Sequence, residues 1–251
     1  MESLGLGLFM ASACGFGMLL YHPASPVVRR LPQEILRRML MGLAMGATAI
    51  GLIYSPWGER SGAHLNPAVT LTFYSMGKIA GVDAVFYTLA QFLGGAAGVT
   101  LLALIARKPL SHAEVNYIVT MPGPKGKLIA FGAEFTIAFL LMTVVLIATN
   151  SPMLAPFTGI ISGVCVMVFI ICEAPLSGMS MNPARTLASA LIPQAWNGLW
   201  IYFTAPPLAM LIAAALFTRV SPATACAKLH HSISARCIFC EFQKSQKETP
   251  N

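Results

Sequence analysis

We expect this chain to fold as an all-α membrane protein, with six transmembrane helices and two half-helices in an inverted repeat. Apolar residues make up 56% of it and charged residues only 10%, against about 25% charged in a soluble domain. Six apolar stretches are long enough to cross a bilayer. A ten-residue motif also occurs twice, as Ser-Gly-Ala-His-Leu-Asn-Pro-Ala-Val-Thr (61–70) and Ser-Gly-Met-Ser-Met-Asn-Pro-Ala-Arg-Thr (177–186).

The six apolar stretches predict the membrane spans. About 20 apolar residues suffice to cross ~30 Å of hydrocarbon. Because backbone groups find no water in lipid, such segments must be helical. The expected spans are residues 3–21, 39–55, 84–106, 128–149, 155–172 and 196–218.

Two further apolar stretches, 67–76 and 183–192, are too short to span. Ten helical residues reach about 15 Å, half of the hydrocarbon core. Asn is a good N-cap and Pro a good first helical residue, so Asn66-Pro67-Ala68 and Asn182-Pro183-Ala184 predict the starts of two half-helices.

The order of these segments predicts the domain organisation. Residues 1–106 and 127–219 each hold three spans and one half-helix, within one membrane domain over 1–220 followed by a tail over 221–251. Three is an odd number, so the second repeat must be inserted upside down relative to the first. The functional site of an inverted repeat is expected near the midplane, where broken helices meet.

Three features carry a resemblance: the doubled motif, the pattern Tyr87-x-x-Ala90-Gln91-x-x-Gly94, and a Glu at the head of each repeat. With these features the chain resembles the major intrinsic protein family of aquaporins and glycerol facilitators, and among them the bacterial type. The resemblance covers residues 1–220. It implies an aquaporin-like fold with one pore per subunit, a homotetramer, and a multi-pass protein of the plasma membrane with cytoplasmic termini. Lys and Arg divide almost evenly between the two sets of loops, so charge alone gives no orientation.

The resemblance also assigns roles to residues. Asn66 and Asn182 would meet at the pore centre, and Glu2 and Glu134 would hold the half-helix loops by hydrogen bonds. Gln91 is expected to have a structural role. For His64 a hydrogen-bonded structural role is favoured over pore lining or pH sensing.

The selectivity filter of the family takes one residue from span 2, one from span 5, one from the second loop and an arginine. Counting without gaps places these at Gly46, Ile170, Met179 and Arg185. A one-residue shift at span 2 is open, because residues 55–60 separate it from the motif. Such a constriction would be wide and apolar, although Thr186, where glycerol facilitators tend to have Asp, is typical of water channels.

The expected function is therefore a passive channel for water and other small neutral solutes that excludes protons and ions. The alternatives are a glycerol, urea, ammonia or hydrogen peroxide facilitator with low water selectivity, a secondary active transporter, or a non-conducting scaffold. We expect no enzymatic activity, because no acid/base pair or nucleophile set is visible. The net charge of +7 contains no basic run that would bind nucleic acid, so the bilayer is the expected partner.

The tail carries a cluster of possible metal ligands. A Cys-x-x-Cys pair follows another Cys and a His by about ten residues, which gives the ligand types and number of a tetrahedral zinc site. The candidate ligands are Cys226, His230, Cys237 and Cys240. The alternative is a tail with free thiols and no cofactor.

Overall fold

The computed structural model describes residues 1–221, 225–231 and 237–248. Its helices, in chain order, are α1 (Glu2–Tyr21), α2 (Pro26–Arg30), α3 (Glu34–Ile53), α4 (Pro56–Ser61), α5 (Pro67–Ser75), α6 (Gly81–Ala106), α7 (Lys108–Ser111), α8 (Lys127–Asn150), α9 (Thr158–Ser177), α10 (Pro183–Ala190), α11 (Leu199–Val220) and α12 (Ile238–Glu248). Two short 3-10 turns, Asn116–Ile118 and Ala155–Phe157, complete the helical structure of the described ranges.

Among the described residues, six helices are long and apolar enough to cross a membrane: α1, α3, α6, α8, α9 with the 3-10 turn before it, and α11. They cover the six predicted spans, and no strand lies in the described ranges, so the all-α membrane fold is confirmed. Large apolar side chains such as Leu93, Leu104 and Leu128 stay exposed on the outer faces of these helices. A bilayer would cover such side chains at no cost.

The two half-helices form where they were predicted, as α5 and α10. Asn66 caps α5 by accepting a hydrogen bond from the Ala68 N–H, and Asn182 caps α10 by accepting from Ala184 and Arg185. Pro67 and Pro183 occupy the first helical positions, where the missing N–H of proline costs nothing. These local signals explain why both helices begin in the middle of the fold.

The helix pairs repeat between the two halves of the chain. The first span packs along the third in each half, as α1 on α6 and α8 on α11, while α3 packs along α9 between the halves. Each half-helix packs against the third span of the other half, so that α5 contacts α11 and α10 contacts α6. This exchange brings the N-termini of α5 and α10 together inside the bundle.

A glycine on α6 allows the backbones of α1 and α6 to come into close contact. A Cβ atom added to Gly94 of α6 would lie 2.0 Å from the Ser3 carbonyl oxygen of α1. Small residues permit such approach in membrane helices, where packing rather than the hydrophobic effect drives association. The pairing of α1 with α6 matters for function, because α1 carries Glu2 and α6 carries Gln91.

Candidate functional site

A cavity of about 210 Å³ lies inside the bundle between the two repeats. One end is lined by Tyr21 and Met41, and the other by Ile53 and by Leu229 of the tail. Helix side chains such as Val145 give it an apolar wall. The two motif loops supply the polar side, so the cavity has a polar stripe along an otherwise apolar surface.

Asn66 and Asn182 lie at the middle of this cavity, and each spans the gap to the opposite loop. The Asn66 Nδ2 atom donates to the Met181 carbonyl (2.7 Å), and the Asn182 Nδ2 atom donates to the Leu65 carbonyl (2.7 Å). A side-chain amide has two N–H donors. Within the described part of the chain, each asparagine therefore keeps one N–H free while its oxygen caps its own half-helix.

Glu2 fixes the first loop. One of its oxygens accepts hydrogen bonds from the Ser61 hydroxyl (2.7 Å) and the His64 N–H (3.2 Å), and the other from the Leu65 N–H (2.6 Å) and Gln91 (2.7 Å). Ala63 and Leu65 have positive φ angles. Alternation between left-handed and ordinary backbone turns successive N–H groups to one side and makes a concave anion site, which Glu2 fills.

Glu134 does the same for the second loop. It accepts hydrogen bonds from the Ser177 hydroxyl (2.5 Å), the Ser180 N–H (2.7 Å) and the Met181 N–H (2.7 Å). Met179 and Met181 have the positive φ angles here. The loop-holding contacts of both glutamates are thus present in the structure, and Glu134 is completely buried.

Two tyrosines and two serines, to which the sequence analysis assigned no role, complete this support. Tyr87 donates to the Ser61 carbonyl (2.8 Å), and Tyr202 donates to the Ser177 carbonyl (2.6 Å). Both serines open a copy of the motif, and that repetition is the signal that would have identified them.

Arg185, Met179 and Ile170 line the cavity on the side of Tyr21 and Met41. Arg185 is 8% exposed, and within the described part of the chain nothing accepts a hydrogen bond from its Nη1 atom. A buried donor with no partner is costly, so the cavity offers this guanidinium to whatever occupies it.

The sequence match agrees with this geometry. Residues 2–217 match the family model described as major intrinsic protein. The chain belongs to the major intrinsic protein family. This membership agrees with the expectation that the chain is not an enzyme.

Two aquaporins are similar to this chain in sequence. The chain is 32% identical over 200 residues to Aquaporin NIP1-1 of Arabidopsis thaliana, which covers 78% of this chain and 67% of that protein. It is 36% identical over 189 residues to Aquaporin NIP2-3 of Zea mays, covering 74% and 60%. The chain therefore spans about two thirds or less of these relatives' length.

A solved structure has the same fold. The aquaglyceroporin from Plasmodium falciparum superposes with a TM-score of 0.68, covering 88% of this chain and 95% of that one at 19% identity. At this identity the likeness shows the aquaporin fold alone.

Gly46 requires a correction among the expected filter residues. It lies against α9 instead of the cavity, and an added Cβ would meet the Gly163 carbonyl oxygen at 2.6 Å. Met45, one residue earlier, lines the cavity in its place. The physical reason is helix geometry: successive residues of α3 point about 100° apart, and Gly46 faces Gly163 and Met167 of α9.

His64 and Gln91 occupy the positions expected of structural residues, although His64 also lines the cavity. The His64 Nε2 atom donates to the Ala227 carbonyl (2.9 Å), and its Nδ1 atom lies 3.1 Å from the Thr70 hydroxyl. Gln91 is fully buried and donates to Glu2 and Thr70. His64 thus connects the first half-helix to the tail.

The tail cluster forms with one change of residue. The ligand atoms of Cys226, His231, Cys237 and Cys240 all lie within 4.8 Å of one another. The expected ligand His230 is wrong, because it turns away to Glu59 (3.4 Å) and packs on the Tyr54 ring. Burial, with nearby Lys228, lowers the pKa of His231 and favours its neutral form.

Proposed function

We propose that this protein is a passive channel that conducts water and other small neutral solutes and excludes protons and ions. The observation that carries the proposal is the pair of amides, Asn66 and Asn182, which line one cavity between the two repeats. Each has one N–H bonded to the opposite loop and one left for a solute.

The half-helices supply the barrier to cations. Each helix N-terminus carries roughly half a positive charge, and those of α5 and α10 face the same central region. Cations, including hydronium, are repelled there, while a water oxygen accepts hydrogen bonds from both amides. A water oriented by two donors cannot pass a proton along the file, because its hydrogens point away from the centre.

The expected filter residues, with Met45 in place of Gly46, support a wider solute range than water alone. The side chains of Met45, Ile170 and Met179 are apolar and not aromatic. Arg185 is the polar residue among them. Solutes of the size of glycerol, urea, ammonia or hydrogen peroxide could present a hydroxyl or amide to Arg185 and a carbon face to the apolar wall. The relatives are named aquaporins and the solved neighbour an aquaglyceroporin, which agrees with either preference.

A coupled transporter is the weaker alternative. Coupling to ions usually depends on ionisable groups beside the substrate. Of the described residues that line the cavity, Arg185 is the charged one, and both loop-holding carboxylates lie outside the lining. The lining therefore favours passive conduction.

We further propose a homotetramer in the plasma membrane with both termini in the cytoplasm, as the family resemblance implies. Six spans put both termini on one side of the membrane, which is consistent with the contact between the tail and the loop after α3.

The test is a permeability panel in proteoliposomes. Water, glycerol and urea fluxes are measured by stopped-flow light scattering for the unmodified protein, Arg185→Val and the control Arg219→Val, which removes an exposed arginine outside the cavity. We expect water and at least one other solute to exceed empty liposomes, and Arg185→Val to raise the glycerol-to-water ratio. An unchanged ratio would contradict the filter role of Arg185, and fluxes equal to empty liposomes would contradict the channel.

A further inference from the structure

A cluster of three thiols and one imidazole lies in the tail, apart from the two motif loops. Cys226 and His231 come from one described segment, and Cys237 and Cys240 from the segment that begins α12. We propose that these four residues bind a Zn²⁺ ion, and that the ion fastens the tail across one mouth of the channel with Leu229 in the lumen.

The spacing of the ligand atoms suits a tetrahedral ion. Zn–S bonds of about 2.3 Å and Zn–N bonds of about 2.0 Å give tetrahedron edges of roughly 3.5 to 3.8 Å. The Cys226 and Cys237 sulfurs are 3.3 Å apart, the Cys240 sulfur and the His231 Nε2 atom are 3.4 Å apart, and all four atoms lie within 4.8 Å. Changes of at most about 1 Å in these interatomic distances would complete the tetrahedron.

The donor set also selects the class of metal. Three thiol sulfurs and one imidazole form a closed set of the kind that holds structural zinc. Hard cations such as Mg²⁺ and Ca²⁺ prefer oxygen ligands. The three cysteines are free thiols in this structure, so their sulfurs are available to a metal.

The tail touches the first motif loop at several points. The Leu229 N–H donates to the Gly62 carbonyl (3.1 Å), the Lys228 ammonium donates to the Glu59 carbonyl (2.6 Å), and His64 donates to Ala227. Phe239 of α12 stacks on the His64 ring, with centroids 5.8 Å apart. The tail therefore packs against the loop that carries Asn66.

Leu229 connects the metal site to the channel. It is 8% exposed and lines the cavity at the end opposite Arg185. Cys226 lies three residues before it and His231 two residues after it, so one ion would fix both sides of this segment. Since part of this inference depends on the proposed channel function, metal binding and flux need separate measurements.

Metal binding is tested on the full-length protein stripped with a chelator and titrated with Co²⁺. We expect one equivalent to give the visible bands of a tetrahedral thiolate site, and Zn²⁺ to displace it. His231→Asn should weaken the affinity by about 100-fold or more, because it removes a direct ligand. The matched control is His230→Asn, which removes the neighbouring imidazole and should bind like the unmodified protein.

Equal Co²⁺ spectra for His231→Asn and the unmodified protein would overturn the site, as would a Cys226–Cys237 disulfide in protein purified under reducing conditions. Occlusion is tested by water flux with and without Zn²⁺. We expect Zn²⁺ to lower the flux severalfold in the unmodified protein and to have little effect in Leu229→Ala, which still binds the metal.

Identical flux with and without Zn²⁺ would overturn the occlusion. If Co²⁺ binds as expected but no variant conducts in either state, the channel function and the occlusion both fail while the metal site stands. If the chain conducts but binds no Co²⁺, the channel function stands and the metal site fails.

Discussion

Glu134 sits at the centre of the second loop and receives three hydrogen bonds, two of them from consecutive backbone N–H groups. Glu2 receives four in the corresponding place of the first loop. A carboxylate can accept at all of its lone pairs, whereas an amide of the same shape has one oxygen and one NH₂ group. The loops therefore depend on the charge type of these residues and not only on their size.

Glu134→Gln is expected to destabilise the protein. At least one backbone N–H would face the new NH₂ group, and each buried donor left without an acceptor costs about 1–3 kcal/mol. We expect a lower melting temperature in detergent and a lower water flux per protein. The control is Glu34→Gln at the start of α3, where the side chain is 71% exposed. Equal melting of the two variants would contradict the role of Glu134.

Met45 and Gly46 test which residue of α3 faces the channel. Met45→Ala should widen the cavity and raise glycerol flux relative to water, and it should also cost about 2–5 kcal/mol of stability because the side chain is buried. Gly46→Ala should also lower stability, because its Cβ would lie 2.6 Å from the Gly163 carbonyl oxygen. Permeability ratios and melting curves of both variants check this. A changed ratio in Gly46→Ala with unchanged melting would reverse the assignment.

At the scale of elements, the contact between α1 and α6 positions the first loop, because Glu2 lies at the start of α1 and Gln91 lies on α6. Gly94 allows the two backbones to touch. A methyl group at this position would push α1 away from α6 and separate Glu2 from Gln91, which are joined by a 2.7 Å hydrogen bond.

Gly94→Ala is therefore expected to cost about 1–3 kcal/mol of stability, as overpacking typically does. Gly132→Ala on α8 is the matched control, since nothing lies within 4 Å of its added Cβ. An alanine in an open helical site should be neutral or favourable by up to about 1 kcal/mol. The fraction of each variant that survives heating in detergent measures the difference. Equal survival of the two variants would contradict the requirement for a close contact between α1 and α6 at Gly94.

At the scale of the whole molecule, the spans and half-helices could be predicted because their causes are local. Bilayer thickness sets the length of a span, and Asn-Pro sets the start of a half-helix. The contacts across the fold could not be predicted in the same way. Whether Met45 or Gly46 faces the cavity depends on how α3 packs against α9. The choice of His231 over its neighbour depends on Glu59 and Tyr54 elsewhere in the chain.

Leu229 is the clearest case of such a long-range contact. Its surrounding sequence contains no membrane or pore signal, and it enters the cavity because Ala227 and Leu229 bond to the first motif loop. The sequence predicted the cluster of thiols and imidazoles, but not that Leu229 would enter the cavity. The contact between the tail and the channel forms only in the folded protein, where the tail packs against the first motif loop.

The most direct test of the central claim measures water and proton movement in the same proteoliposomes, using chelator-treated protein. Shrinkage after an osmotic step reports water, and a trapped pH-sensitive dye reports protons. We predict shrinkage faster than in empty liposomes, in proportion to the protein added, while an imposed pH gradient decays at the rate of empty liposomes. Shrinkage no faster than in empty liposomes, or a proton leak that grows with the protein, would contradict the account.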